Sequence, residues 1–241
     1  MRTSNRDDLG LRRITLEPNF IKHAEGSCLL KMGETWVITT ASVEEKVPPW
    51  LERKGSGWVT AEYAMLPRAT NSRTRREGAA GKQTGRTQEI QRLIGRALRA
   101  AVDLKALGER TITIDCDVIQ ADGGTRIASI NGGFVSLALA IAWLQKKEKI
   151  ATSPIKSAVA GISLGLKKGN FLVDPDYNED STCDVDLNVV MLEKGKIVEL
   201  QGTAEGATFT AEESNQMVRQ ASHAIERIFD AQYSALGVAR A

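Results

Sequence analysis

Apolar residues recur along the chain with two periods, and the changes between them mark its elements. From Thr111 to Val118, Ile112, Ile114, Cys116 and Val118 alternate with Thr111, Thr113, Asp115 and Asp117; a period of two predicts a half-buried strand. Cys28–Met32 and Thr35–Val43 read as strands joined through Gly33-Glu34, with Leu11–Glu17 before them and Trp58–Leu66 after. These N-terminal strands are expected to lie antiparallel. Ile90, Leu93, Ile94, Ala97, Leu98, Ala101 and Val102 form one stripe at helical spacing, with Thr87 as the expected N-cap. From about Asn131 to Leu144 the chain is small and apolar, which predicts a mostly buried helix. The polar run Gln145–Ser153 and Pro154 make a joint. Beyond it, Ile155–Leu166, Phe171–Val173, Asp184–Glu193 and Ile197–Leu200 read as strands, with turns at 167–170 and 194–196. A last helix begins at Thr210, spaced from Glu213 as a capping box requires, with a stripe from Met217 to Phe229. The pattern is α+β: two sheet-plus-helix halves, about 10–145 and 155–235, within a single domain spanning 1–241. Their shared order suggests a distant internal duplication.

Charge adds a local feature to this frame. The net charge of +2 excludes a globally basic nucleic-acid binder, yet residues 66–92 hold seven basic and two acidic side chains. Arg68, Arg73, Arg75 and Arg76 fall within nine residues that lack apolar periodicity. The guanidinium fork suits phosphate, so this stretch reads as an RNA-contacting loop rather than merely a solvated one. Extended, it would reach some 30 Å at roughly 3.3 Å per residue. Cys28, Cys116 and Cys183 are far apart and there are only two histidines, His23 and His223. That argues against a zinc site or a disulfide framework and for a reducing cytoplasm. No apolar run approaches the roughly 20 residues of a membrane span, and the N-terminus has no hydrophobic signal region. The expectation is a cytoplasmic protein with no membrane contact.

Three places carry candidate chemistry. Asp122-Gly123-Gly124-Thr125-Arg126 joins the strand at 111–118 to the buried helix; its glycines leave N–H groups uncovered and Arg126 adds donors, a plausible phosphate cradle. Arg86, just before a helix start, is a second phosphate-suited arginine. Asp174, Asp176, Glu179, Asp180, Asp184 and Asp186 lie within thirteen residues that contain no Lys or Arg. Alternation in Asp184–Val189 fixes Asp186 on one strand face, with Asp180 in the turn before it. Two such carboxylates suit a hard cation such as Mg²⁺, or one is kept protonated as an acid. Gly202–Gly206 reads as a glycine-bounded turn, either a wall of the site or a chain reversal. Both histidines are expected to be structural or solvated. Arginines and a carboxylate pair together suggest phosphoryl transfer.

The segments DDLGLR, EYAMLPRAT, GKQTGRTQEIQRLIGRALRAAVDLKALGERTITIDCDVIQADGGTRIASI, NEDSTCDVDLNVVM and IVELQGTAEGATFT together resemble the bacterial ribonuclease PH family, over about residues 1–235. The resemblance implies the ribosomal protein S5 domain 2-like fold and a phosphate-dependent 3′-to-5′ exoribonuclease, a tRNA nucleotidyltransferase. Such an enzyme trims tRNA precursors and other RNA 3′ ends, releases nucleoside 5′-diphosphates reversibly, and works as a homohexamer, a trimer of dimers. It implies phosphate binding by Arg86, Gly124, Thr125 and Arg126, catalysis and metal binding by Asp180 and Asp186, and tRNA contacts by Arg68, Arg73 and Arg76. Departures are small: Thr3 stands where proline is usual, Asp184 where glutamate is expected, and Asn131-Gly132-Gly133-Phe134 is unusual. A catalytically inactive RNA-binding ring subunit is the alternative, which retention of Arg86, Arg126, Asp180 and Asp186 disfavours. A small-molecule kinase would need a G-x-x-x-x-G-K-[ST] loop, which the sequence does not contain.

Overall fold

Period-two segments become strands and period-3.6 segments become helices in the computed structural model, which describes residues 2 and 6–240; Thr3 lies outside them. Strands β1 (Ile14–Pro18), β2 (Gly26–Met32), β3 (Thr35–Glu44) and β4 (Trp58–Met65) lead to helices α1 (Glu77–Ala80), α2 (Gly85–Ala100) and α3 (Leu104–Leu107). Strand β5 (Thr111–Gln120) and helix α4 (Thr125–Lys146) complete the first half. The second half holds β6 (Val159–Lys167), β7 (Asn170–Val173), α5 (Tyr177–Asp180), β8 (Val185–Leu192), β9 (Lys196–Ala204) and α6 (Ala211–Leu236). The sheets run β1-β2-β3-β5-β4 and β7-β6-β8-β9.

The expected all-antiparallel first sheet is corrected at one edge, where β4 runs parallel to β5. The reason is the long connection: α2 crosses over between them and packs on β4, and a parallel pair needs such a crossover. The second sheet is antiparallel throughout, so the two halves are less alike than their shared element order suggests. Its first strand begins at Val159, not Ile155, because Ile155 instead makes a single bridge to Val102 beside the end of α2.

Helix α4 starts two turns earlier than expected, directly at Thr125, and is buried on nearly every side between the two sheets. By length and composition it is apolar enough to cross a membrane, which the sequence reading missed because Ser129, Asn131 and Ser136 interrupt the run. Within the fold, 83% of that window is buried, as in the core helix of a globular protein. Its buried polar side chains, Ser129, Asn131 and Ser136, are all hydrogen-bonded, as buried groups must be. Asn131 donates to the Gly161 carbonyl (3.1 Å) and accepts from the Gly161 N–H (2.8 Å), clasping β6. Ser136 bonds Thr39 of β3. Gly132 lets the helix close on Leu30 and Thr39; a Cβ there would lie 3.2–3.3 Å from both. One continuous apolar core therefore runs through both halves with α4 as its axis.

A second tie between the halves is ionic. The Arg12 side chain (5% exposed) bonds both oxygens of Asp174 (1% exposed), at 3.0 Å through Nε and 2.6 Å through Nη2. Arg12 also donates to the Asp122 and Gly123 carbonyls. Arg2 makes a two-point bond to Glu179 (2.9 and 2.7 Å), and Arg6 adds a third contact to that carboxylate. Although burial opposes it, the Arg2 bond holds the Glu179 carboxyl down at about 2. Breaking a buried pair leaves one uncompensated charge. Asp174→Ala is therefore expected to lower the unfolding free energy by about 3–5 kcal/mol in urea titration. Glu17→Ala, which removes the partly exposed Lys31 pair, should cost less than about 1 kcal/mol.

Candidate active site

The glycine turn is held from below by hydrogen bonds to its backbone. Thr35 Oγ1 accepts from the Asp122 N–H (3.0 Å) and donates to the Gly123 carbonyl (2.6 Å). Gly123 and Gly124 have φ of +77° and +67°, a region closed to most side chains. A Cβ on Gly123 would come within 2.8–3.0 Å of backbone atoms from Pro175 to Tyr177, so the turn sits flush against the entry to α5. Gly124 caps α4 with no side-chain acceptor, leaving the N–H groups of the first turn aimed outward. Thr125 stands at the first helical position, its hydroxyl 2.9 Å from that of Tyr63. The strand, glycine turn and helix expected from the sequence are present in that order, the turn at the N-terminus of a long, buried helix.

Arg126 follows. Its Nη1 donates to Gln201 Oε1 (3.1 Å) and lies 3.5 Å from Glu89. Arg86 is exposed in the first turn of α2, inside the helix rather than before it. The N-cap is Thr84, which accepts from the Thr87 N–H, whereas the Thr87 hydroxyl donates to Glu77. Thr87 is thus corrected as the cap: it already lies within the helix, whereas Thr84 has the extended backbone of a cap, and the hydroxyls of both donate to Glu77 of α1.

The acidic stretch divides in two. Asp174 and Glu179 are structural, bound to arginines of the N-terminal segment, and Asp176 caps α5 in a capping box with Glu179. Asp184 accepts from the Lys168 N–H (2.8 Å) at the foot of a turn. Asp180 ends α5, a helical turn rather than the plain turn expected. Asp186 projects from β8 opposite the buried Val185, Leu187 and Val189, as alternation predicts. These two carboxylates face one another electrostatically. Burial first and the Asp186 charge second push the Asp180 carboxyl up to about 6; burial also raises Asp186. The positive charges of Arg126 and Arg86 act on both and pull the other way, while Glu205 adds to the repulsion. Arg86, Arg126, Asp180 and Asp186 therefore lie within electrostatic reach of one another. Asn188, one strand repeat beyond Asp186, donates to both of its oxygens (3.4 and 3.3 Å).

Beside Arg86 an open groove of about 1060 Å³ runs over β4 and β5, lined by Tyr63, Arg75, Arg76, Asp115 and Asp117 among others. Arg68, Arg73 and Arg76 are exposed, as expected of an RNA-contacting loop. The loop is shorter in reach than an extended chain, because Thr74 N–H bonds the Pro67 carbonyl (2.8 Å) and folds it back. Its root is firm: Ala69 is buried, and its carbonyl accepts from the Ala121 N–H (2.9 Å), one residue before the glycine turn. Gly202–Ala204 belongs to β9, so the turn expected at 202–206 begins only at Glu205. Both histidines are exposed and the three cysteines are free. Tyr63, Gln201 and the arginines of the N-terminal segment went unnoticed in the sequence; an isolated tyrosine or glutamine in a strand carries no signal of its own.

The fold and these residues define a class. Two family models, the 3′ exoribonuclease family domain 1 and domain 2, match residues 10–142 and 157–224, and the chain belongs to this family. Its curated relatives include ribonuclease PH from two strains of Cereibacter sphaeroides, 56% identical over 237 residues, covering 98% of this chain and 100% of each relative. The resemblance read from the sequence is borne out. Among solved structures, rice Rrp46 superposes with a TM-score of 0.79 at 17% identity, covering 98% of this chain and all of that one. The Archaeoglobus fulgidus exosome with RNA bound to the active site also scores 0.79, at 19% identity, over 95% and 91% of the two chains. These distant likenesses agree on the α+β fold.

Electrostatic strain at the carboxylate pair has a measurable consequence. A carboxyl raised in the folded state costs stability once ionised, fully above its folded value and not at all below its unfolded one, about 3.9. Asp180→Asn is expected to raise Tm in metal-free buffer at pH 8. The gain should fade as pH falls from about 6 towards 4; a gain independent of pH would count against a carboxyl raised by burial and by the Asp186 charge.

Proposed function

We infer that this chain is a phosphate-dependent 3′-to-5′ exoribonuclease that shortens the 3′ ends of tRNA precursors at the site formed by Arg86, Gly124, Thr125, Arg126, Asp180 and Asp186. The observation that carries this reading is the meeting of two guanidinium charges and two carboxylates at the uncapped start of α4. Inorganic phosphate and the terminal phosphodiester are both anions and repel. Arg86, Arg126 and the N–H groups of Thr125 and Arg126 offset that repulsion and orient the attack. A phosphate oxygen forms a bond to the terminal phosphorus, the bond to the 3′ oxygen of the preceding nucleotide breaks, and a nucleoside 5′-diphosphate leaves. The freed 3′ oxygen takes up a proton. Running backward, the same steps add a nucleotide. The inactive-subunit alternative gains nothing from a site that retains every charge.

Asp180 and Asp186 would hold Mg²⁺. Among the described residues no cluster of three or more His, Cys, Asp or Glu side chains is spaced as a metal cage. Two oxygen-donor carboxylates of raised pKa nevertheless suit an ion that takes one or two carboxylates and fills its other positions with water and phosphate oxygens. When bound, the ion would neutralise charge developing on the scissile phosphate. Arg68, Arg73 and Arg76 would grip the tRNA body through its backbone. The family resemblance further implies a homohexamer, and the half-exposed Ile197 and Leu200 (50% and 47%) on edge strand β9 suit cover by a neighbouring subunit. Three unpaired cysteines suit a reducing compartment, the cytoplasm.

The reaction itself is tested by incubating 3′-extended tRNA with and without phosphate. Nucleoside diphosphates should appear only with phosphate; monophosphates at full rate without it would overturn the reading. Arg126→Ala and Arg86→Ala should each raise the phosphate concentration for half-maximal rate, each losing an interaction on the scale of about 1.5–3 kcal/mol. Asp180→Asn and Asp186→Asn should each lower kcat by at least about 10²-fold. Arg73→Ala with Arg76→Ala should weaken tRNA binding and flatten its salt dependence, yet leave a short oligonucleotide degraded at nearly the parent rate. Equal losses on both substrates would assign the loop to the active site or the fold.

A further inference from the structure

The two arms of the site, guanidinium and carboxylate, stand on opposite halves of the chain. A row of neutral polar side chains crosses the second sheet beneath them. Ser163 on β6 pairs in register with Asn188 on β8, and Asn188 with Gln201 on β9. The Ser163 hydroxyl donates to Asn188 Oδ1 (2.8 Å), and both residues are nearly buried, at 7% and 5% exposed. With its oxygen engaged there, the Asn188 amide turns its NH₂ to both oxygens of Asp186. That orientation is chemically required, since an ionised carboxylate can only accept. At the other end of the row, Gln201 Oε1 accepts from Arg126.

We propose that Asn188 and Gln201 are paired positioning residues for phosphorolysis, Asn188 fixing the Asp186 carboxylate and Gln201 the Arg126 guanidinium. The proposal rests on the site reading above and deepens it. Neutrality is the physical point. Glu89, 3.5 Å from Arg126, already draws on its charge. An amide oxygen orients the guanidinium fork while leaving the charge available to incoming phosphate, whereas a second carboxylate would compete with it. On the carboxylate side, an NH₂ that bridges both oxygens restrains rotation of Asp186 without adding a charge that would displace a cation. Ser163 holds the amide in that orientation, so its effect should follow that of Asn188 at smaller amplitude.

The two ends of the row predict separate losses, which a general loosening of the fold would not produce. Binding is read without turnover, by calorimetric titration of the whole enzyme with inorganic phosphate and, separately, with Mg²⁺; kcat is measured beside it. Gln201→Met should weaken phosphate binding about tenfold and leave Mg²⁺ binding within about twofold. Gln201→Glu keeps the acceptor and the size but adds a charge. It should weaken phosphate binding at least as much, although a merely structural brace would be strengthened by an ion pair. Asn188→Leu should lower Mg²⁺ affinity and kcat about tenfold with phosphate binding little changed, and Ser163→Ala should do the same to a lesser degree. If the Gln201 and Asn188 variants move both affinities together, or neither, the positioning roles are overturned. Arg126→Ala and Asp186→Asn serve as references. If they fail to weaken phosphate and Mg²⁺ binding respectively, the site reading itself falls and takes the inference with it; if they succeed while the row variants do not, only the inference falls.

Discussion

The buried bond between Arg12 and Asp174 is the constraint on which the rest of the site depends. Asp174 begins the segment that carries Asp180, and Arg12 also holds the carbonyls of the turn that carries Gly124 to Arg126. One guanidinium therefore fixes two pieces of chain from different halves against each other. An ion pair so deep is costly to desolvate and earns little net stability. What it provides is registration: Arg12 pins both segments where Gly123 lies flush against Pro175–Tyr177. Arg2 and Arg6 extend the same grip to Glu179, the neighbour of Asp180 in sequence.

Much of this was legible in the sequence because it is local. Alternation in Thr111–Val118 and Asp184–Val189 gave strand direction of side chains, and the Thr210–Glu213 spacing gave the cap of α6. The four charged residues of the candidate site were also legible, Arg86 and Arg126 from their place at helix starts, Asp186 from strand phase, and Asp180 from the turn before that strand and the family resemblance. What escaped were relations between distant segments. Nothing in the pattern of β4 says that it runs parallel to β5; that follows from where α2 packs. The six acids from Asp174 to Asp186 look alike in sequence, and only their partners separate them. Asp174 and Glu179 meet arginines more than 160 residues away, whereas Asp180 and Asp186 meet each other. Thr84 and Thr87 are equally good caps by type, and only the backbone decides between them, extended at Thr84 and already helical at Thr87.

The site also illustrates how charge is apportioned where two anions must meet. Cationic groups come from the first half, anionic groups from the second, and the N-terminus of α4 lies between them. Each arm is partly offset by its opposite: Glu89 beside Arg126, and the two arginines near the carboxylates. Neither arm is neutralised outright, so both keep charge, as the proposed function requires. The electrostatic strain visible at Asp180 is the cost of that arrangement, held in place by the surrounding core.

The basic loop has a different kind of freedom. It is tied to the glycine turn through the backbone bond from Ala121 to Ala69, and its tip from Asn71 to Arg76 is exposed, with hydrogen bonds only to nearby residues of the chain such as Pro67 and Ala80. Residues can be added, removed or exchanged at such a tip without moving the root. The chain thus joins a fixed root to a variable tip, so sequence change at 71–76 need not displace the glycine turn.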